Sequence, residues 1–317
     1  MKLDRTTITR VLAALAGLLG GAALFATDRQ STIVTGISAS VPYCLVALGI
    51  ALVFKATGVF NFAQGEFGTV AIFALYLARF WFPWVGYVGA MLFAVLVAVG
   101  FGLLVERAII RPLSEAPRVT LLVATAGIAL LSIATQIWLG EAQARNVEKA
   151  LSRENRFNVL GINVSDQRVL GIIVMIIVVV ALAAFFNRTS LGLAVLASSQ
   201  EPTATELCGI SVKRVSALVW GLSGLLGGLA GVLAGPTGTF TPGQLTSVGL
   251  VPGFTAAVLG GITSLPGAFL GGILISFIQA LGTTTGSSIK GGPAFFTFLL
   301  LAGVLLVRPQ GLLGGKR

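Results

Sequence analysis

The chain has 317 residues, of which 56% are hydrophobic and only 10% are charged, and its mean hydropathy is +0.96. Because an average soluble domain has about 25% charged residues, this composition excludes an ordinary water-soluble protein. The net charge of +10 does not indicate a nucleic-acid-binding protein either, since the basic residues are scattered between apolar segments and no aromatic stacking platform accompanies them.

Ten apolar segments follow one another along the chain and predict an all-α fold, a polytopic transmembrane helical bundle built as a single domain over residues 1–317. A full crossing needs about 20 apolar residues, and several of the segments are shorter. We therefore expect eight to ten spans, some of them half-helices. The segments lie at residues 11–27, 33–54, 66–82, 85–105, 119–139, 169–187, 213–235, 248–265, 266–282 and 294–307.

The basic residues are distributed unevenly over the loops. With ten crossings and a cytoplasmic N-terminus, thirteen Lys and Arg residues lie inside and eight lie outside, five of those eight in the mixed-charge loop 140–168. An excess of positive charge marks the cytoplasmic face of a membrane protein. We therefore expect a multi-pass protein with both termini in the cytoplasm, loop 140–168 outside and loop 188–212 inside.

The first apolar segment follows a basic start, which is also typical of a signal peptide. The basic residues are Lys2, Arg5 and Arg10. The small residues Ala23 and Ala26 do not have the spacing of a usual cleavage site, so a first spanning helix is favoured while cleavage stays open as the alternative.

The most unusual stretch interrupts the hydrophobic pattern between the second and third segments. It contains two amides and a carboxylate, those of Asn61, Gln64 and Glu66. A charged group at the centre of a bilayer costs about 2.5–3.5 kcal/mol on insertion scales, so Glu66 either lies near the interface or is held by protein partners. Asn61 suits a turn and Glu66 suits a first helical turn, which leaves a structural role and direct contact with a solute both open.

A faint internal repeat involves the same stretch. Residues 58–67 align with residues 260–269, 202 positions further on, with three matching residues, and both stretches break an apolar run. Paired breaks in the two halves of a chain are typical of transporters built from internal repeats. Chance similarity in a sequence with 41 glycines is the competing explanation.

Four stretches together resemble a known family. They are Ala47–Phe54 with Gly58–Phe67, Glu106-Arg107 with Arg111-Pro112-Leu113, Ala257–Gly272, and Val307–Gly314. They occur in the order expected of the branched-chain amino acid permeases of ATP-binding cassette (ABC) importers, and they cover the chain from about residue 36 to its end. The resemblance implies an amino-acid permease in the cytoplasmic (inner) membrane of a prokaryote. It leaves the solute open, because urea and short-chain amide permeases are similar to this family.

The resemblance also implies an assembly. The expected partners are a second related permease subunit, two cytoplasmic ATP-binding subunits, an extracytoplasmic solute-binding protein and the lipid bilayer, with no nucleic acid. No Gly-Lys-Ser or Gly-Lys-Thr of a phosphate-binding loop occurs in the chain, so ATP hydrolysis is expected of the partners. Loop 140–168 is either a contact for the binding protein or simply a soluble loop.

Loop 188–212 is where the family carries its ATPase-coupling segment, a Glu-Ala-Ala-x-x-x-Gly motif. This sequence reads Thr203-Ala204-Thr205 and Gly209 there, so the family's Glu and one Ala are replaced, and Glu206 is the substitute carboxylate. Pro202 favours the start of a short helix. An ordinary solvated loop is the alternative interpretation. The coupling candidates are Glu201, Thr203, Ala204, Glu206 and Gly209.

The candidates for the solute path are Asn61, Gln64, Glu66 and Tyr43, because amides can bond both polar ends of a zwitterion. An ion-coupled secondary transporter is less favoured, since ionisable residues are rare inside the apolar segments. An intramembrane enzyme has little support, because the chain has no histidine, and Cys44 and Cys208 are far apart. We therefore expect a transport subunit with no catalytic residue, cofactor or metal.

Overall fold

The computed structural model describes residues 29–140, 143–147, 156–159, 162–284, 291–307 and 310–314. The first predicted apolar segment, residues 11–27, lies outside these ranges, and so do the basic residues that precede it. Every other predicted segment largely coincides with a helix, which confirms the all-α class.

Eleven α-helices make up most of the described chain. They are α1 (Arg29–Thr57), α2 (Gln64–Trp81), α3 (Tyr87–Val105), α4 (Arg118–Gly140), α5 (Asp166–Arg188), α6 (Ser190–Gln200), α7 (Pro202–Leu207), α8 (Val212–Ala234), α9 (Val251–Gly260), α10 (Leu265–Thr284) and α11 (Gly292–Val307).

Six stretches within the described residues are long and apolar enough to cross a membrane, which confirms a polytopic protein. They are Gly36–Thr57, Tyr87–Ile110, Arg118–Gly140, Asp166–Arg188, Val212–Thr237 and Leu265–Thr283. Two further apolar stretches, Thr246–Gly260 and Gly292–Leu306, are shorter than 18 residues. The predicted segment 248–265 is thus a short helix, α9, because Gly261 ends it with a φ of +99°.

The bundle has central and peripheral helices. About 72% of the most apolar window in Gly36–Thr57 is buried, against 17% for Asp166–Arg188. Helix α1 packs against α8 and α10, and α8 packs against α2 and α3. The core therefore lies among α1, α2, α8 and α10, while α5 has most of its apolar surface on the outside, as expected of a helix that faces lipid.

Helix α8 packs closely through its glycines, as their four-residue spacing predicts. A methyl group at Gly224 would lie 2.5 Å from the carbonyl oxygen of Ala98 in α3. A methyl group at Gly231 would overlap the carbonyl oxygen of Gly68 in α2. The backbone of α8 therefore contacts the backbone of α3 on one side and that of α2 on another. These contacts fix the three helices relative to one another.

Short elements connect the helices. Two π-helical turns, Glu106–Ile110 and Thr246–Leu250, follow α3 and precede α9. Strand β1 (Arg145–Asn146) pairs antiparallel with β4 (Thr239–Phe240), and β2 (Arg156–Val159) pairs antiparallel with β3 (Ile162–Ser165). The four strands lie outside the six apolar stretches. Because β2 and β3 both lie within loop 140–168, part of that loop is a hairpin.

The end of the described chain closes the α9–α10 turn. The amide of Leu312 donates to the carbonyl of Leu259 at 2.8 Å, and the amide of Leu313 donates to that of Gly260 at 3.0 Å. The last carbonyls of a helix have no partner within it, and residues 312–313 supply donors to those of α9. This contact gives a structural use to the Val307–Gly314 stretch.

Exposed tryptophans lie at the ends of two helices. Trp81 at the end of α2, Trp84 after it and Trp138 near the end of α4 are 69%, 80% and 83% exposed. Tryptophan is enriched where a helix leaves the hydrocarbon region, and the ends of α2 and α4 have this character.

Candidate functional site

The chain between α1 and α2 turns at Asn61, which is 3% exposed. Gly58 ends α1 with a φ of +68°, a conformation that glycine adopts without strain. The Asn61 carbonyl oxygen Oδ1 accepts from the Ala63 amide at 3.0 Å, and its Nδ2 donates to Gln64 Oε1 at 3.1 Å. Asn61 therefore shapes the turn and bonds to the first residue of α2.

Gln64 is fully buried and joins three helices. Its Nε2 donates to the carbonyl oxygen of Ser223 in α8 at 3.1 Å, and its Oε1 accepts from the Ser223 hydroxyl at 2.5 Å. A methyl group at Gly49 of α1 would overlap the Gln64 amide, so α1 approaches it closely. Both polar atoms of Gln64 are thus bonded to protein groups.

The same turn is also held from α4. The Thr125 hydroxyl donates to the Phe60 carbonyl at 3.1 Å and accepts from the Phe62 amide at 3.2 Å. Thr125 is fully buried. Thr125 and Ser223 were not predicted from the sequence. The signal available for each was a hydroxyl inside an otherwise apolar segment.

Glu66 is buried with no exposed surface and lies in the first turn of α2. Its Oε2 accepts from the amide of Gln136 in α4 at 2.6 Å, and Gln136 Oε1 accepts from the Gly243 amide at 3.2 Å. The hydroxyl groups of Thr246 and Ser132 lie beside the same carboxyl group. Protein partners therefore hold the Glu66 carboxylate, one of the two arrangements that the sequence left open.

Tyr43 lies in α1 between two cavities and takes no part in the hydrogen bonds of Asn61 and Gln64. The cavities have volumes of about 190 and 130 Å³ and share Pro42, Tyr43, Ala234 and Thr237 as walls. Gln244 adds an amide to the larger cavity, and Arg168 adds a guanidinium to the smaller one. Three of the four path candidates, Asn61, Gln64 and Glu66, therefore bond to protein groups around the turn. The fourth, Tyr43, lies apart from them and lines the two cavities.

A further cavity, of about 550 Å³, is an apolar groove between α2, α3 and α4. Its walls include Phe93 and Leu131, which are 52% and 67% exposed, so the groove opens at the perimeter of the bundle. Ser132 and Gln136 form a small polar edge beside Glu66. In the described part of the chain, no group of three His, Cys, Asp or Glu side chains is placed to hold a metal ion.

The coupling candidates lie on and around α7, which begins at Pro202 as the sequence predicts. Thr205 is the buried residue of this helix, and its hydroxyl donates to the Glu201 carbonyl at 2.8 Å. Leu207 is 85% exposed, although it is apolar. Solvent-facing residues surround it: Glu201, Thr203, Ala204, Glu206 and Gly209.

Gly209 ends α7 with a φ of +80°, and the Ile210 amide closes the turn by donating to the Thr205 carbonyl at 3.2 Å. This is the left-handed cap expected of a glycine after a helix. A methyl group there would have no heavy atom within 4 Å. A side chain at position 209 would therefore strain the backbone, but it would not clash.

Comparison with known proteins identifies the family. Residues 32–308 match the family model described as "Branched-chain amino acid transport system / permease component". The high-affinity branched-chain amino acid transport system permease protein BraD of Pseudomonas aeruginosa is 30% identical over 89% of this chain and 94% of its own length. The corresponding LivH protein of Escherichia coli K12 is 29% identical over 88% of this chain and 93% of its own length.

Among solved structures, PsaBC from Streptococcus pneumoniae in complex with Fab aligns over 86% of this chain and 89% of its own at 14% identity. Its TM-score of 0.49 is too low to carry a statement about the fold. The family model, by contrast, covers most of the helices described above, including the turn at Asn61 and the coupling candidates. The chain therefore belongs to the family of branched-chain amino acid transport system permease components.

Proposed function

We propose that this chain is the permease subunit of an ABC importer that carries branched-chain or other hydrophobic amino acids across the cytoplasmic membrane. The names of BraD and LivH describe branched-chain amino acid transport, which favours amino acids over urea or short-chain amides. Power for transport comes from partner ATPases. The chain itself contributes no catalytic residue and needs no cofactor.

One observation carries the proposal, the exposed helix α7 between α5 and α8. An apolar side chain that is 85% exposed, Leu207, lies among polar residues on a six-residue helix. An apolar centre with a polar rim is the usual arrangement of a small protein interface. We assign this face, which includes Glu201, Thr203, Ala204, Glu206 and Leu207, to contact with an ATP-binding subunit.

The proposed topology has eight to ten crossings with both termini in the cytoplasm. The charge distribution supports this topology, because it places thirteen of the 21 basic residues on the cytoplasmic face, the same face as α7. Beyond the six long stretches, the crossings come from the shorter stretches Thr246–Gly260 and Gly292–Leu306, from α2 and from the first predicted segment, residues 11–27. The hairpin β2–β3 then lies outside, where a solute-binding protein docks. A second permease subunit covers part of the exposed apolar surface of the bundle, and lipid covers the rest.

The internal repeat belongs to the same proposal. Gly58 has a positive φ, and so does Gly261, one position after the residue that aligns with Gly58. Each ends a helix just before the chain turns into another buried helix. Paired breaks in the two halves of a chain are typical of transporters built from internal repeats.

For the solute path, we propose different roles for the two groups of candidates. Tyr43 lines open space, so it contacts solute directly. Asn61 and Gln64 already bond to protein groups, so they hold the break between α1 and α2 in place. Glu66 belongs with them, since Gln136 occupies one of its oxygens.

The test is co-purification of the ATP-binding subunits with the permease carrying Leu207→Ser. Loss of the exposed apolar side chain should reduce the co-purified ATPase severalfold without changing the amount of permease in the membrane. Leu191→Ser is the matched control, because Leu191 on α6 is 55% exposed and lies outside the proposed face. Equal ATPase recovery from Leu207→Ser and the parent would contradict the proposed docking face.

A further inference from the structure

A partly buried ion pair lies at the end of α3, where the helix continues into a π-helical turn. Arg111 donates from Nε to Glu106 Oε1 at 3.2 Å and from Nη2 to Glu106 Oε2 at 2.8 Å. The Glu106 side chain is 2% exposed and the Arg111 side chain 28%. Two parallel bonds between a guanidinium and a carboxylate fix both groups in orientation as well as in distance.

The π-helical turn determines this geometry. The Arg111 amide donates to the carbonyl of Glu106, five residues earlier, at 2.7 Å. A wide turn of this kind places residues five apart on the same side of the helix, whereas a regular α-helix places residues three and four apart together. Single π-helical turns inside helices are often found at functional sites.

Arg111 also reaches a second helix. Its Nη2 donates to the carbonyl oxygen of Lys213 at 3.4 Å. Lys213 is the second residue of α8, four positions after Gly209. One guanidinium therefore bonds both to the end of α3 and to the segment that leaves the coupling helix α7.

The two helices joined in this way also pack closely along their length. A methyl group at Gly102 of α3 would lie 2.5 Å from the carbonyl oxygen of Trp220, and one at Gly224 would lie 2.5 Å from that of Ala98. Helices in backbone contact move together more readily than they slide. A displacement of the start of α8 is therefore passed on to α3, provided that their ends stay joined.

We propose that Glu106 and Arg111 are positioning residues that join the coupling segment to α3, so that movement of α7 displaces α3 and α8 together. This inference rests on the proposed docking of α7 on an ATPase. Neither residue touches solute or nucleotide in this account. Their effect is on how much solute is moved for each ATP hydrolysed.

The test uses the complete importer in proteoliposomes, with loaded binding protein and leucine as the probe. Three quantities are measured: co-purified ATPase, hydrolysis rate and leucine taken up per ATP. Arg111→Gln and Glu106→Gln should each lower uptake per ATP by about tenfold, the scale of one charge-assisted hydrogen bond. Arg111→Lys keeps the charge but loses the paired bonds, and it should recover part of the uptake.

Each single substitution leaves a buried charge or polar group without its partner, which destabilises a protein strongly. The double variant Glu106→Gln/Arg111→Gln removes both charges and should assemble in parental amounts while uptake per ATP stays low. Arg107→Gln is the matched control, because Arg107 is exposed on the same turn and should behave like the parent.

Parental uptake per ATP in the double variant would overturn the proposal. The proposal would also be overturned if uptake and hydrolysis in the variants at positions 106 and 111 fell only in proportion to the amount of assembled complex. An equal loss of uptake per ATP in Arg107→Gln would overturn it too. Failure of the ATPases to co-purify with the parent permease would instead contradict the proposed function, so the two failures are distinguishable.

Discussion

At the scale of single residues, the sequence identified the polar residues of the turn but not their partners on other helices. Asn61, Gln64 and Glu66 are conspicuous because polar residues interrupt an apolar pattern. Their partners Ser223 and Gln136 come from helices that lie 159 and 70 residues away in the chain. A serine or glutamine inside an apolar segment signals a buried contact, but its spacing does not tell which polar group it meets.

Gln64 provides the residue-scale prediction. Gln64→Ala removes the acceptor for Asn61 and Ser223 and leaves both buried, which should lower the free energy of unfolding by about 1–3 kcal/mol. Membrane insertion should be intact and maximal leucine uptake lower, with the half-saturating leucine concentration unchanged. Thermal unfolding in detergent and uptake in vesicles measure these effects.

Thr135→Ala is the control, since the exposed Thr135 hydroxyl donates within α4, to the Leu131 carbonyl, at 2.8 Å. A raised half-saturating concentration with parental stability in Gln64→Ala would argue against a holding role and for direct contact with solute.

At the scale of elements, the predicted segments found the helices but not their lengths. The end of α9 at Gly261 depends on a positive φ and on donors from residues 312–313, both of which are tertiary features. The start of α7 was predictable because proline suits a first helical turn. The β2–β3 hairpin and the π-helical turns left no signal that was recognised in the sequence.

Gly209 provides the element-scale prediction. A β-branched residue at a φ of +80° is strained, so Gly209→Val should unwind the cap of α7 and lower hydrolysis stimulated by loaded binding protein. Gly209→Asn is the matched control, because asparagine tolerates the left-handed conformation better than other residues with side chains. ATPase activity of the reconstituted complex is the measurement. If both Gly209→Val and Gly209→Asn have the stimulated ATPase activity of the parent, the cap is not needed for coupling.

At the scale of the whole molecule, composition and charge sufficed for the class and the proposed orientation. They did not distinguish the central helices α1, α8 and α10 from the peripheral helix α5, although the apolar stretch of α5 is more hydrophobic than those of the other three. That distinction depends on glycines, which let α8 approach α2 and α3 closely. The glycine spacing predicted tight packing in general but not the pairs of helices involved.

The two cysteines test the orientation. Cys208 is exposed after α7, whereas Cys44 is buried in α1. A membrane-impermeant maleimide should leave the protein unlabelled in intact cells and label Cys208 in inside-out vesicles. Ala144→Cys, at an exposed position of loop 140–168, should become labelled in intact cells. Labelling of Cys208 from outside would reverse the proposed topology.

The central claim is that this chain moves amino acids with energy from partner ATPases. Its most direct test is leucine uptake into proteoliposomes that contain this chain, a related permease subunit, two ATP-binding subunits and loaded binding protein. We predict uptake that requires ATP, that persists without an ion gradient, and that stops when the ATP-binding subunits are omitted, while the isolated chain neither binds nor hydrolyses ATP. Uptake driven by a proton or sodium gradient without ATP would contradict the account.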